Sequence, residues 1–329
     1  MAIQITIVGL GEIGTSLGLA LKYQKNEIVR VGCDIHKYAE QNALSAGAVD
    51  TIQHNLFEAT ANADIIFFAV PAGELEGSLK LIGQDLKPGA VVLEISGAKT
   101  AAQSWAKRYL KDPTHFAGLY AALNPEWINE FPNEHHTAHE DLFQKGTFFI
   151  AALPETDPGV VKLALDLATL VGAHSAFCEA EELDGMIASV ENLPFLLGNA
   201  LFDAATRQPS WKEARKFGGK TFSRLSETVK LGAQDEKAGL PLLENRDNTL
   251  RMLNEFILTL KDYRDAIQNG DASTLETLLK NNQSTREKWE KEYSDAVWRR
   301  ESETQVERPS TGEYFGQLFL GGLVKKKKN

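Results

Sequence analysis

The sequence predicts an α/β protein in which a doubly wound, mostly parallel sheet is followed by an all-helical half. Three observations predict it. Short β-branched runs alternate with helical patterns up to about residue 179, a glycine-rich turn joins the first strand to the first helix, and no convincing strand pattern follows Glu179. At 329 residues the chain exceeds one ordinary domain, so two cores are expected. Its net charge of −10, with positive charge gathered only in the last few residues, argues against nucleic acid as a partner. No apolar run approaches the ~18 residues of a membrane span. The first strand leaves no room for a signal peptide ahead of it. The two cysteines, Cys33 and Cys178, both end apolar strand-like runs, which reads as buried thiols in a reducing cytoplasm.

The first strand is Ile3 to Val8, followed by Gly9, Gly11 and Gly14 in a G-x-G-x-x-G turn and a helical pattern from Thr15 to Lys22. Gly9 permits the tight turn, Gly11 lets a pyrophosphate approach the backbone, and Gly14 lets the helix pack close on the strand. The turn, with Glu12 and Ile13, offers N–H groups at a helix N-terminus to the phosphates. This is the Rossmann-type dinucleotide pattern. The next strand, Ile28 to Asp34, ends in an acid placed to accept from the adenosine ribose hydroxyls, which favours NAD; His36 and Lys37 leave NADP open.

A helix from Tyr38 to Ala46 stops at Gly47. Asp64 to Val70 is a buried strand, with Pro71 opening the loop at its carboxyl end. A helix from Leu75 to Leu86 and a Lys87-Pro88-Gly89 turn lead to the strand Ala90 to Ile95, which delivers Ser96 to Lys99 to the same edge. Ligands bind at that edge in open parallel sheets, so Val70, Pro71 and Ser96 join the candidate cofactor contacts. Phe116 to Pro125 occupies the next such position. The stretch from Trp127 to Lys145 is polar and brings His135, His136 and His139 together, but no spaced carboxylate or cysteine completes a ligand set, so no metal is expected. Thr147 to Leu153, a helix from Gly159 to Val171, and Ala173 to Cys178 finish the sheet.

Helical patterns then run from Glu182 to Ala205, Asn245 to Ile267 and Ala272 to Trp298. Leu253, Phe256, Ile257, Leu260, Tyr263 and Ile267 form one apolar stripe, which suits a core or a second copy of the chain. The expected divisions are 1–179, 180–298 and a tail, 299–329. The tail's apolar segment Tyr314 to Val324 and the lysines 325–328 read as a segment docking on a partner subunit, with a membrane-surface role as the alternative.

The layout resembles the prephenate/arogenate dehydrogenase family of tyrosine biosynthesis over nearly the whole chain up to Trp298. The stretches CDIHKYAEQNALSAGAVD, DIIFFAVPAGELEGSLKLI, LKPGAVVLEISGAKT and DLFQKGTFFIAALPETDP, the last followed by GAHSAFCEAEELDGMIASVENLPF, carry the likeness through their order and spacing. The resemblance implies an NAD(P)-dependent oxidoreductase, a helical dimerisation domain and a homodimer, with Ser96 at the family's active-site serine. It also implies a substrate carboxylate held by an arginine, which falls on Arg224 in the segment Phe217 to Arg224.

The departures from the family lie in the pocket. Tyr120 stands where the family's G-x-H-P motif has its histidine, and Glu191-Asn192-Leu193-Pro194-Phe195 replaces its Ser-His-Leu-Pro-His. The preceding His-Asp pair is Leu183-Asp184. Family members oxidise a ring hydroxyl by hydride transfer while the ring loses carbon dioxide. A phenol with a reference pKa near ~10 is a poorer base at neutral pH than histidine near ~6.5. Tyr120 is therefore expected to hold the hydroxyl, its proton passing to water or Ser96, or else only to fill space. The sequence leaves two other readings open: a dehydrogenase of another small hydroxy acid, and an NAD-binding homologue without turnover that acts as a sensor or partner.

Overall fold

The computed structural model of the chain describes residues 2–24, 27–128, 137–230 and 237–295. Eight strands form one sheet: β1 Ile3–Val8, β2 Ile28–Cys33, β3 Thr51–Ile52, β4 Ile65–Phe68, β5 Val91–Glu94, β6 Phe116–Ala122, β7 Thr147–Ala152 and β8 His174–Phe177. Their order across the sheet is β3-β2-β1-β4-β5-β6-β7-β8. All neighbours are parallel except β6 and β7. The order reverses direction at β1, so a crevice opens beyond the carboxyl ends of β1 and β4.

The residues explain this arrangement. The inner strands are nearly continuous apolar runs because both faces of the sheet are covered. On one face α1 (Glu12–Ala20) packs through Leu17, as does the helix Pro158–Leu170 through Val160, Leu163 and Leu167. On the other lie Leu75, Leu79 and Ile82 from Ala72–Ile82, with Ala102, Trp105 and Ala106 from Lys99–Tyr109. In chain order the further helices are α2 (Lys37–Ser45), α3 (Leu56–Thr60), α4 (Ala72–Ile82), α5 (Lys99–Tyr109) and α6 (Pro158–Leu170). Asp157 caps α6 by accepting from Gly159 N at 2.7 Å, with Pro158 in the first turn, where its missing N–H costs nothing. Arg30, 1% exposed, has its guanidinium spent on Asp50, on the Gly18 carbonyl and on the Gly47 carbonyl, tying β2 to α1 and α2.

The helical half opens with α7 (Ala180–Ile187), a wide π turn over Ala188–Asn192, and α8 (Leu193–Thr206). Pro194 explains the wide turn. Proline has no N–H and its ring crowds the carbonyl four residues back, so the ladder slips to a five-residue bond, Leu193 N to Ala188 O. Short helices α9 (Trp211–Ala214), α10 (Lys220–Leu225) and α11 (Leu240–Glu244) lead into the long pair α12 (Arg246–Gln268) and α13 (Ala272–Asp295). No strand occurs after β8 among the described residues.

Several expectations are adjusted. The two-residue β3 and the five-residue α3 were too short to carry a period, and α1 begins at Glu12, one turn before the expected Thr15. Cys178 is half-buried, unlike Cys33. On α12 the apolar stripe is not core: Ile257, Leu260 and Ile267 keep half or more of their surface exposed, as does Leu258 beside them. The tail, with Tyr314 to Val324 and the terminal lysines, lies outside the described residues, as do His135 and His136. No described helix is long and apolar enough to cross a membrane.

Candidate active site

The glycine turn has the geometry its spacing predicts. Gly9 sits at φ +92°, where an added Cβ would lie 2.4 Å from the Ala69 carbonyl oxygen, so glycine is required there twice over. A Cβ on Gly14 would fall 1.9 Å from the Gly9 carbonyl oxygen, which is the close helix-to-strand approach. Gly11 differs: a Cβ there meets nothing within 4 Å. It faces open space at the start of α1, where Gly11 is itself the capping residue and brings no side chain. Asp34, at the end of β2, accepts from Leu10 N and His36 N, each at 2.7 Å, which fastens the acid beside the turn. Each carboxylate oxygen accepts more than one hydrogen bond, so ribose hydroxyls can still be read. Val70 and Pro71 follow β4, next to β1 at the sheet's reversal point. A helix that starts at a glycine, open space at that glycine and an acid at the second strand end suit a dinucleotide.

Two strands further along the same edge, β5 ends in Glu94 and delivers Ser96. Glu94 and Lys99 form an ion pair of 2.7 Å with both side chains 0% exposed. Burial pulls the Lys99 ammonium below its ordinary value, and Glu94 opposes that shift. The second Glu94 oxygen accepts from Ser96 N at 2.7 Å, so the pair aims the serine. Lys99 itself is fully enclosed. Ser96 is 5% exposed, and its Oγ has no hydrogen-bond partner among the described residues. An orphaned buried hydroxyl costs free energy unless a ligand or water satisfies it, so this atom marks where a polar ligand group belongs.

β6 lies beside β5 with Glu94 opposite Gly118, and two residues further on that strand stands Tyr120. A Cβ on Gly118 would come within 2.9 Å of the Glu94 carboxylate, which explains the small residue there. Tyr120 is half-buried, and its hydroxyl donates to Glu191 Oε1 at 2.8 Å. Glu191 sits on the π turn and is exposed to solvent. Burial, reinforced by the Glu191 charge, pushes the Tyr120 phenol far above its ordinary value. Burial also raises the Glu191 carboxyl, while the hydrogen bond from Tyr120 partly offsets this. Tyr293, from α13, adds a second phenol near this pair and donates to the Leu123 carbonyl at 3.1 Å.

The helical half is pinned to this edge by Asp184. Its carboxylate accepts from Lys99 N at 2.6 Å and Thr100 N at 2.9 Å, capping α5 from a different domain. Asn245 in turn donates to the Asp184 carbonyl at 2.6 Å. This gives the aspartate of the His-Asp pair a positional role. Asn192, in the place of a family histidine, is spent on Thr249 at 3.0 Å.

Ser96 and Tyr120 thus come to adjacent strand ends, in the same sheet edge as Gly9, Gly11, Glu12, Ile13, Gly14, Asp34, Val70 and Pro71. Arg224 is not brought to them by any described contact; it is exposed on α10 and its guanidinium makes no ion pair among the described residues. His139 stacks on Trp127 with ring centroids 3.7 Å apart. Glu191 is the residue sequence reading passed over. Its only signal was an acid in a segment where the related motif has a serine.

Known proteins share this layout. A family model described as the prephenate dehydrogenase nucleotide-binding domain matches residues 17–177, and one described as the prephenate dehydrogenase dimerization domain matches 179–281. Prephenate dehydrogenase of Lactococcus lactis is 25% identical over 300 residues, covering 87% of this chain and 77% of the relative. That of Bacillus subtilis is 21% identical over 276 residues, covering 82% and 72%. A crystal structure of prephenate dehydrogenase from A. aeolicus with hydroxyphenyl propionate and NAD+ superposes with a TM-score of 0.74 at 20% identity, covering 88% of this chain and 98% of that one.

Proposed function

We propose, from the premise that this chain belongs to the prephenate dehydrogenase family and is an NAD(P)-dependent dehydrogenase, that it oxidises a carboxylate-bearing cyclic or small hydroxy substrate in a pocket altered from the family pattern. The observation that carries the reading is the buried Ser96 hydroxyl, unpartnered among the described residues, which follows β5 next to the strand that bears Tyr120, on the same sheet edge as the open Gly11. The nicotinamide, when bound, supplies the hydride acceptor. The chain's own part is to hold and orient. The Gly9–Gly14 turn, with Glu12 and Ile13, would hold the pyrophosphate, Asp34 the ribose, and Val70, Pro71 and Ser96 the inner half of the dinucleotide. Ser96 and Tyr120 would hold the substrate hydroxyl. Arg224 is the proposed carboxylate anchor, since a guanidinium grips a carboxylate through two parallel bonds; this requires α10 to face the cleft.

NAD is the preferred cofactor in this reading, because Asp34 at the second strand end repels a 2′-phosphate. The test is a screen of purified protein with NAD and with NADP against prephenate, arogenate and a panel of small hydroxy acids. NADH formation from at least one carboxylate-bearing hydroxy acid is expected, with prephenate slow. Binding of NAD without turnover of any acid would favour the sensor or partner reading instead.

A homodimer through the helical half is part of the proposal. Its support is the exposed apolar face of α12 and the matching dimerization-domain model. Light scattering at micromolar protein should give the mass of two chains, and a monomer mass would refute this.

A further inference from the structure

We propose that Glu191 is the terminal proton acceptor of this site, acting through Tyr120 as a positioning residue that takes the place of the histidine pair. The inference rests on the proposed dehydrogenase reading and adds a residue to it. Its basis is geometric. Tyr120 reaches the edge where the orphaned Ser96 hydroxyl waits, and the Tyr120 hydroxyl has one proton, which it donates to Glu191 Oε1 at 2.8 Å. The phenol oxygen is left with its lone pairs free to accept from a substrate hydroxyl. A phenol alone is a poor base, but a phenol whose proton already points at a carboxylate can pass one on while accepting another. Glu191 is held for this task by the backbone. The π turn forced by Pro194 carries it, and its neighbour Asn192 anchors that turn to Thr249 of α12.

The atoms balance as follows. As hydride leaves the carbinol carbon for the oxidised cofactor of this enzyme class, the substrate O–H bond breaks and its proton moves to the Tyr120 oxygen. The original Tyr120 proton moves to the Glu191 carboxylate, and the carbinol becomes a carbonyl. Where the ring then loses carbon dioxide, the electron pair of that carbon–carbon bond ends on the ring oxygen. The proton returns along the same two bonds, so no net proton is gained or lost.

Titration gives the sign. The acceptor is the ionised carboxylate, so turnover should rise as Glu191 deprotonates, at a pH above the ordinary carboxylate range because burial raises its pKa. The titratable groups around the pair are Tyr120 on β6, Tyr293 on α13, and the mutually paired Glu94 and Lys99 beneath β6; from α12 the contact to the turn is the neutral Thr249. Tyr120 stays a neutral phenol throughout.

The experiment compares unmodified enzyme with Glu191→Gln, Glu191→Asp and Tyr120→Phe, using whichever of prephenate and arogenate the unmodified enzyme oxidises faster. Glu191→Gln should lower kcat by about a hundredfold, the low end for loss of a positioned base. It should leave NAD affinity in place and flatten the lower limb of the pH profile, while Glu191→Asp recovers part of the rate. In cofactor-free protein with 13C-labelled glutamate carboxyls, the resonance missing from Glu191→Gln should titrate above the ordinary glutamate value. It should move higher still in Tyr120→Phe, which removes a hydrogen bond that favours the ionised form. A Glu191→Gln rate within threefold of the unmodified enzyme, or an ordinary Glu191 titration unmoved by Tyr120→Phe, would overturn the proposal and leave the dehydrogenase reading standing. Absence of turnover with prephenate, arogenate and every acid of the panel would sink both together.

Discussion

Gly11→Val should abolish NAD(H) binding and leave the fold intact. The three glycines of the turn serve different ends, and the geometry separates them. At Gly9 and Gly14 an added Cβ collides with backbone oxygens at 2.4 and 1.9 Å, so substitution there damages the packing of α1 on β1. Gly11 has φ −73°, which any L residue adopts, and open space where its Cβ would be. The Cβ of a valine at Gly11 therefore meets no described protein atom within 4 Å, while the side chain occupies the approach of a pyrophosphate to the N-terminus of α1. Affinity for NAD(H) by calorimetry should fall at least on the order of a hundredfold, ~2.8 kcal/mol. The thermal unfolding midpoint should stay close to that of the unmodified chain. Normal NAD(H) affinity in this variant would move the cofactor elsewhere.

The fold was largely legible because its signals are local. The β-branched runs, the G-x-G-x-x-G turn and the Gly47 stop each act over a few residues, and the structure shows Gly47 at φ +74° ending α2. Elements with no room for a period, β3 and α3, left no trace. The candidate site was legible in part for the same reason. Ser96 could be placed at a strand end from pattern and Asp34 by its distance from the glycines, whereas Tyr120 was singled out only by the family resemblance.

What could not be read were contacts across the chain. Glu191 meets Tyr120 over 71 residues of separation, and Asp184 caps α5 over 84 and 85. Neither residue has a local signature, and the π turn that carries Glu191 follows from Pro194 only once the helix around it is known. The buried Glu94–Lys99 pair was hidden for a related reason. A lysine at a helix start reads as solvated, and only the neighbouring strand shows that it is enclosed. The stripe on α12 was visible as a period, but periodicity cannot tell a core face from one that awaits a second copy.

The most direct test of an altered prephenate-type pocket is the rate of NADH formation from prephenate by Tyr120→His beside the unmodified enzyme. A histidine at that position would stand within reach of Glu191, and a carboxylate partner both orients an imidazole and raises its basicity. A positioned base is worth ~10²–10⁴-fold in such reactions, and an imidazole matched to neutral pH and acting directly on the hydroxyl should outdo the two-step relay through Tyr120 to Glu191. Prephenate oxidation should therefore be slow in the unmodified enzyme and rise at least tenfold in Tyr120→His, with NAD affinity unchanged. Vigorous prephenate turnover by the unmodified enzyme, with no gain in Tyr120→His, would contradict it, because Tyr120 would then not be where the pocket departs from the family.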